Sequence, residues 1–177
     1  MKNNVSSNYL NLNNIPNIIT LIRIILIVPI IYFLETKNSN IVWYLLIFAG
    51  ITDYLDGYIA RKFNISSKTG AALDPLADKI IIIIPLIWLC KQNIIPFWSL
   101  SLITIREFII TAFRSISNNG MPALRFAKYK TLLLFISLIF IYSPFKEVNT
   151  IDTGLIFYWI GFSFNVISFM NYLTIKQ

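Results

Sequence analysis

Histidine is absent from this 177-residue chain, and cysteine occurs once, as Cys90. Without histidine there is no Ser-His-Asp or Cys-His nucleophile and no His-ligated zinc. A single cysteine forms no internal disulfide, and Cys90 lies in an apolar run, where it reads as a small core hydrophobe. Charge is scarce too: 13% of the residues are charged against 56% hydrophobic, and mean hydropathy is +0.69. That is far from the mix of a soluble globular domain. No internal repeat, low-complexity linker or glycine-rich nucleotide loop breaks the pattern. Asp, Glu, Lys, Arg and Tyr are left to do acid–base and ligand chemistry.

What the chain does have is long apolar runs. Six segments stand out, at residues 15–34, 41–60, 71–90, 94–113, 131–145 and 154–175. Most approach the roughly 20 residues that an α-helix needs to cross the hydrocarbon core. The fifth is short, and Phe126 with the stems of Lys128 and Lys130 extends it if the ammonium groups snorkel outward. A polar lead, residues 1–14, precedes the first run. That run contains Arg23 and no A-x-A-like cleavage site, so it reads as a retained span and not a signal peptide. The expectation is one all-α, polytopic membrane domain of six transmembrane helices.

The net charge of +7 is spread over the connections between apolar runs. It reads as a topology signal and not as a nucleic-acid surface. With the N-terminus inside, the inner loops and tails carry Lys2, Arg61, Lys62, Lys68, Arg114, Arg125, Lys128, Lys130 and Lys176. The outer loops carry Lys37, Lys91 and Lys146. This bias predicts cytoplasmic N- and C-termini.

Half of the eight acidic residues fall in one stretch: Asp53, Asp56, Asp74 and Asp78. They sit late in the second segment and early in the third, on the cytoplasmic side in this topology. A carboxylate at the centre of a membrane helix costs roughly 2.5–3.5 kcal/mol on insertion scales, so four together suggest function. The spacings i, i+3 and i, i+4 put each pair on one helix face. The linker KFNISSKT allows the two helices to run antiparallel and the pairs to meet. Four hard oxygen donors suit a divalent cation, Mg²⁺ or Mn²⁺. Two such ions roughly 3.5–4 Å apart would suit phosphoryl chemistry. A structural ion-pair network is the competing reading, and too few cations lie within helical reach of the aspartates to favour it. Gly57 and Ala60 follow on the same side of the helix and leave a flat surface, Arg61 can pair with a phosphate, and Gly70 lies early in the next helix.

Written together, these residues read D-x2-D-G-x2-A-R-x8-G-x3-D-x3-D, from Asp53 to Asp78. The pattern resembles the signature of the CDP-alcohol phosphatidyltransferases, integral membrane enzymes of phospholipid synthesis. The resemblance implies that Asp53, Asp56, Asp74 and Asp78 hold the metals and that Asp78 is also the general base toward the acceptor hydroxyl. It implies that Asp56, Gly57, Ala60, Arg61 and Gly70 line the site for the CDP head of the donor, CDP-diacylglycerol. It further implies a homodimer in the cell membrane with its active site toward the cytoplasm.

The acceptor has to be read from other residues. Arg106, Arg114, Lys128 and Lys130 form a basic group in the fourth and fifth segments, suited to an acceptor that carries a phosphate. Positive-inside bias explains the loop members equally well, and explains Arg125 better. Glu107 beside Arg106 suggests a local pair. The stretches NIPNIITLIR, LDPLADK, IREFIITAFR and AKYKT resemble the phosphatidylglycerophosphate synthase branch, whose acceptor is sn-glycerol 3-phosphate. Ala127 departs from that branch, which more typically has Gly there. Serine or an inositol species is the alternative acceptor. A cation transporter is a distant alternative, because its acids would spread across membrane depth.

Overall fold

The structure is a computed structural model. It describes residues 15–63, 68–116, 126–145 and 149–174, with side-chain environments for 21–55, 77–112, 129–145 and 149–171. Among the described residues there are six α-helices and no strand. They are α1 (Ile15–Glu35), α2 (Ser39–Phe63), α3 (Lys68–Lys91), α4 (Phe97–Ile116), α5 (Phe126–Ile141) and α6 (Thr150–Thr174). Each apolar segment expected from the sequence is helical. Helices continue past several of those segments because polar residues flanking an apolar run keep making i to i−4 bonds.

Two differences have local causes. The fourth helix starts at Phe97 and not Ile94, because Asn93 takes a positive φ of 57° and Pro96 disfavours helical φ/ψ at Ile95. The Pro96 carbonyl then accepts from the Ser99 N–H at 3.2 Å and the Ser99 hydroxyl at 2.9 Å. The fifth helix does begin at Phe126, but it stops at Ile141, four residues before the expected end. Pro144 disfavours helical φ/ψ at Ser143.

α1 and α3 both end in a left-handed residue that is not glycine. Lys37 has φ 56°, with Asn38 N–H donating to Phe33 O at 2.9 Å and Lys37 N–H to Leu34 O at 3.0 Å. Asn93 repeats the geometry, with Ile94 N–H on Leu89 O and its own N–H on Cys90 O, both at 3.0 Å. These are Schellman caps, which satisfy the last carbonyls of each helix.

The fold divides into two compact units, residues 1–84 and 85–177. In the first, α1 packs on α2. Ile30 and Leu34 are buried on one helix and Val42, Leu46 and Ala49 on the other, at helical spacing.

In the second unit, α6 packs on α5 and on α4. Its buried face is Gly154, Tyr158, Gly161, Asn165 and Ser168, alternating by four and three residues. Ser99, Ile103, Arg106 and Ile110 repeat that rhythm on α4. The two glycines let the backbones approach. A β-carbon on Gly154 would lie 2.5 Å from Ile141 Cγ1 and 3.0 Å from the Ser137 carbonyl oxygen. One on Gly161 would press on Leu133 and Leu134 at 3.3 Å. Small residues at such contacts are how helices pack when no water drives them together.

Among the described residues, much of the exposed surface is apolar. Leu21, Ile25, Val28, Tyr32, Phe97, Trp98, Ile156 and Ile167 are among many large side chains that face outward. Arg23, Ser99, Arg106, Lys130, Ser137, Asn165 and Ser168 are buried instead. Among the described residues, Thr150–Asn171 is long and apolar enough to cross a membrane, and Ser39–Leu55 and Tyr129–Ile141 are shorter apolar helices.

Candidate active site

Within the first unit, Asp53 on α2 and Asp78 on α3 converge. Both present Oδ1 to the same atom, Nη1 of Arg23 on α1, with Asp53 at 3.1 Å and Asp78 in closer contact. The guanidinium lies at the bottom of this group: the Arg23 side chain is 1% exposed, Asp53 58% and Asp78 34%. The two carboxylates therefore share a buried cation and keep part of their own surface exposed.

Arg23 corrects the sequence reading. An ion-pair network was disfavoured there because too few cations lay within helical reach, yet the partner comes from a third helix. The available signal was an ionisable residue within an apolar run, which by default points to function.

The convergence also tests whether a divalent cation fits. Oxygens from two helices that meet on one cationic nitrogen are close enough to share a cation, and carboxylates are the hard donors that Mg²⁺ or Mn²⁺ prefers. Asp56 and Asp74 belong to the same helices, three residues after Asp53 and four before Asp78. Their side chains lie outside the described residues, so the described ones hold no group of three or more carboxylates. The surroundings of Gly57, Ala60, Arg61 and Gly70 fall outside the described set as well, although the backbone is helical at all four. The residues present fit the cation.

A second polar cluster lies in the second unit, where Glu107 is the hub. Its Oε1 accepts from Arg106 Nη1 at 2.8 Å, from Asn165 Nδ2 at 3.4 Å, and from Lys130 Nζ. Arg106 Nη2 donates to Ser168 Oγ at 2.7 Å. The side chains of Arg106, Lys130 and Glu107 are 7%, 4% and 15% exposed. Thus the expected Arg106–Glu107 pair forms, and Lys130, expected to snorkel, points inward instead. A largely buried carboxylate on α4, 15% exposed, outweighs the pull of the interface. The side chains of Arg114 and Lys128 lie outside the described residues, as does Arg125. Asn165 and Ser168 were missed, because single polar residues in an apolar helix carry little signal before their neighbours are known.

Farther along α4 and α6, Ser99 Oγ and Tyr158 OH are 2.7 Å apart, both fully buried. Tyr142 OH donates to the Pro85 carbonyl at 3.2 Å.

Apolar outer faces and a candidate membrane span among the described residues define an all-helical, membrane-associated protein. Family comparison makes this specific. The chain belongs to the CDP-alcohol phosphatidyltransferase family, whose model matches residues 13–167. It is 33% identical over 168 residues to the CDP-diacylglycerol–glycerol-3-phosphate 3-phosphatidyltransferase of Rickettsia felis, covering 90% of this chain and 93% of the relative. A Bacillus subtilis protein of the same name is 33% identical over 183 residues, covering 91% and 94%. A probable cardiolipin synthase (CMP-forming) of Drosophila melanogaster is 38% identical over 101 residues, covering 56% of this chain and 31% of that protein.

Proposed function

We propose that this protein transfers the phosphatidyl group of CDP-diacylglycerol to sn-glycerol 3-phosphate, giving phosphatidylglycerophosphate and CMP. The observation that carries the reading is the convergence of Asp53 and Asp78 within the eight-residue signature. The names of the full-length relatives support the choice of acceptor.

In this reading Asp53, Asp56, Asp74 and Asp78 hold a pair of divalent cations, Mg²⁺ or Mn²⁺. When bound, these supply charge neutralisation at the diphosphate of the donor. Asp56, Gly57, Ala60, Arg61 and Gly70 receive the CDP head: the small residues admit it closely, and Arg61 pairs with a phosphate. Asp78 takes the proton of the acceptor hydroxyl. That oxygen bonds to the phosphorus of the phosphatidyl group, and the bond from this phosphorus to the oxygen of CMP breaks. Positioning and electrostatics supply most of the rate in such transfers.

Arg106, Arg114, Lys128 and Lys130 are assigned to the phosphate of the acceptor. Glu107 then holds Arg106 and Lys130 in place between substrates, which the buried cluster supports. One domain of six spans, cytoplasmic termini, a cytoplasm-facing site in the inner membrane and a homodimer complete the reading.

The test is CMP release by purified protein given CDP-diacylglycerol and Mg²⁺ or Mn²⁺, with glycerol 3-phosphate, serine, inositol or inositol phosphate offered separately. Release is expected with glycerol 3-phosphate and lost in Asp78→Asn. Release with serine alone would keep the family and overturn the acceptor. No release with any acceptor, wild type and Asp78→Asn behaving alike, would remove the transferase reading.

A further inference from the structure

We infer that Arg23 is a resident counter-charge that sets how tightly the acidic centre holds a divalent cation. The inference rests on the reading of Asp53 and Asp78 as cation ligands. Three observations point to it. The guanidinium is almost wholly buried, whereas the two carboxylates it touches are partly exposed. Its Nη1 contacts Oδ1 of both, so its charge lies within hydrogen-bonding range of the two carboxylates that would hold a cation. And an arginine does not deprotonate, so that charge is permanent.

The geometry makes Arg23 a floor under the site and not a stopper in its mouth. Leaving would strand a buried charge, which is strongly unfavourable, so the guanidinium stays while a cation arrives from the exposed side. Two effects follow from one placement. Without a cation, Arg23 offsets the repulsion between the carboxylates and joins α1 to α2 and α3. With a cation bound, its positive charge opposes the ion across a few ångström and weakens binding. A site that must bind, release CMP and reload gains from an ion that is held but not locked.

The experiment is Mn²⁺ titration, followed by electron paramagnetic resonance of the free ion, on the full chain in detergent micelles. It is paired with thermal unfolding in chelator and in Mn²⁺. Arg23→Gln is expected to bind Mn²⁺ on the order of tenfold more tightly, from removal of one nearby charge at the water-like dielectric of a site whose carboxylates are partly exposed. It should also unfold at lower temperature in chelator and regain more from added Mn²⁺ than wild type does. Arg23→Lys keeps the charge and should hold a Kd within about threefold of wild type.

A residue that merely tied helices together would lower the unfolding temperature equally with and without Mn²⁺. That result, or a Kd in Arg23→Gln equal to or weaker than wild type, overturns the inference alone. A shift in Arg23→Lys as large as in Arg23→Gln overturns it too. Absence of Mn²⁺ binding in wild type removes the cation reading and this inference together. If Arg23→Gln yields no folded protein in chelator, its recovery in Mn²⁺ supports the inference, and failure to recover counts against it.

Discussion

Glu107→Gln is the most informative single change outside the acidic centre. The wild-type cluster of Arg106, Glu107 and Lys130 carries one net positive charge; the substitution leaves two, both on side chains less than a tenth exposed. Removing one partner of a buried ion pair costs about 3–5 kcal/mol. The partial exposure of Glu107, and the carbonyl that glutamine still offers, reduce this to about 2–4 kcal/mol. Removing a cation as well should repair much of the damage. In Glu107→Gln/Lys130→Met, one charge remains beside a neutral amide, and replacing buried ions by apolar groups is often close to neutral. The double variant should therefore be more stable than Glu107→Gln alone, a coupling of about 1–3 kcal/mol. Reversible denaturant unfolding in micelles, completed with the Lys130→Met single variant, measures all corners of the cycle. A Glu107→Gln variant within about 0.5 kcal/mol of wild type, or strictly additive losses, would refute the claim that these charges hold one another in place.

Three further outcomes are expected. Lys130→Ala should raise the KM for glycerol 3-phosphate more than the KM for CDP-diacylglycerol; equal effects on both would mark the lysine as a structural partner of Glu107 only. Gly154→Ala should destabilise by about 1–2 kcal/mol, because the close approach to Ile141 and Ser137 outweighs the helix propensity that alanine adds. A variant more stable than wild type would show that α5 and α6 yield at that point. Tyr158→Phe leaves the Ser99 hydroxyl without its buried side-chain partner and should cost about 1–2 kcal/mol in the same unfolding assay, whereas an unchanged stability would mean the hydroxyl pair contributes nothing.

The helices were legible because an apolar run of this length has few other solutions, and the acidic motif because its spacing is matched to the helical period. What escaped the sequence were pairings between distant helices. Arg23 and Asp53 lie thirty residues apart, and Arg106 and Ser168 sixty-two. The place of Arg23 within an apolar run marks it as unusual, but nothing local names the carboxylates it meets. Helix ends failed where a backbone effect overrides hydropathy: Ile94 and Ile95 are as apolar as any neighbour, but the positive φ at Asn93 and the restriction that Pro96 places on Ile95 exclude them from α4. Lys130 shows the converse, since a sequence gives its hydrophobic surroundings but not the carboxylate waiting on another helix.

The alternating face of α6 has one more consequence. A smooth apolar helix is free to ride up or down against its neighbours, since one stretch of hydrocarbon is as good as the next. α6 is notched at both ends: Gly154 fits only against the Ser137–Ile141 turn, and Ser168 meets its partner only opposite Arg106. A slip of one turn would drive a larger side chain into the first notch and pull the second apart. The helix works as a key with two teeth, and this pins its depth more sharply than lipid alone does.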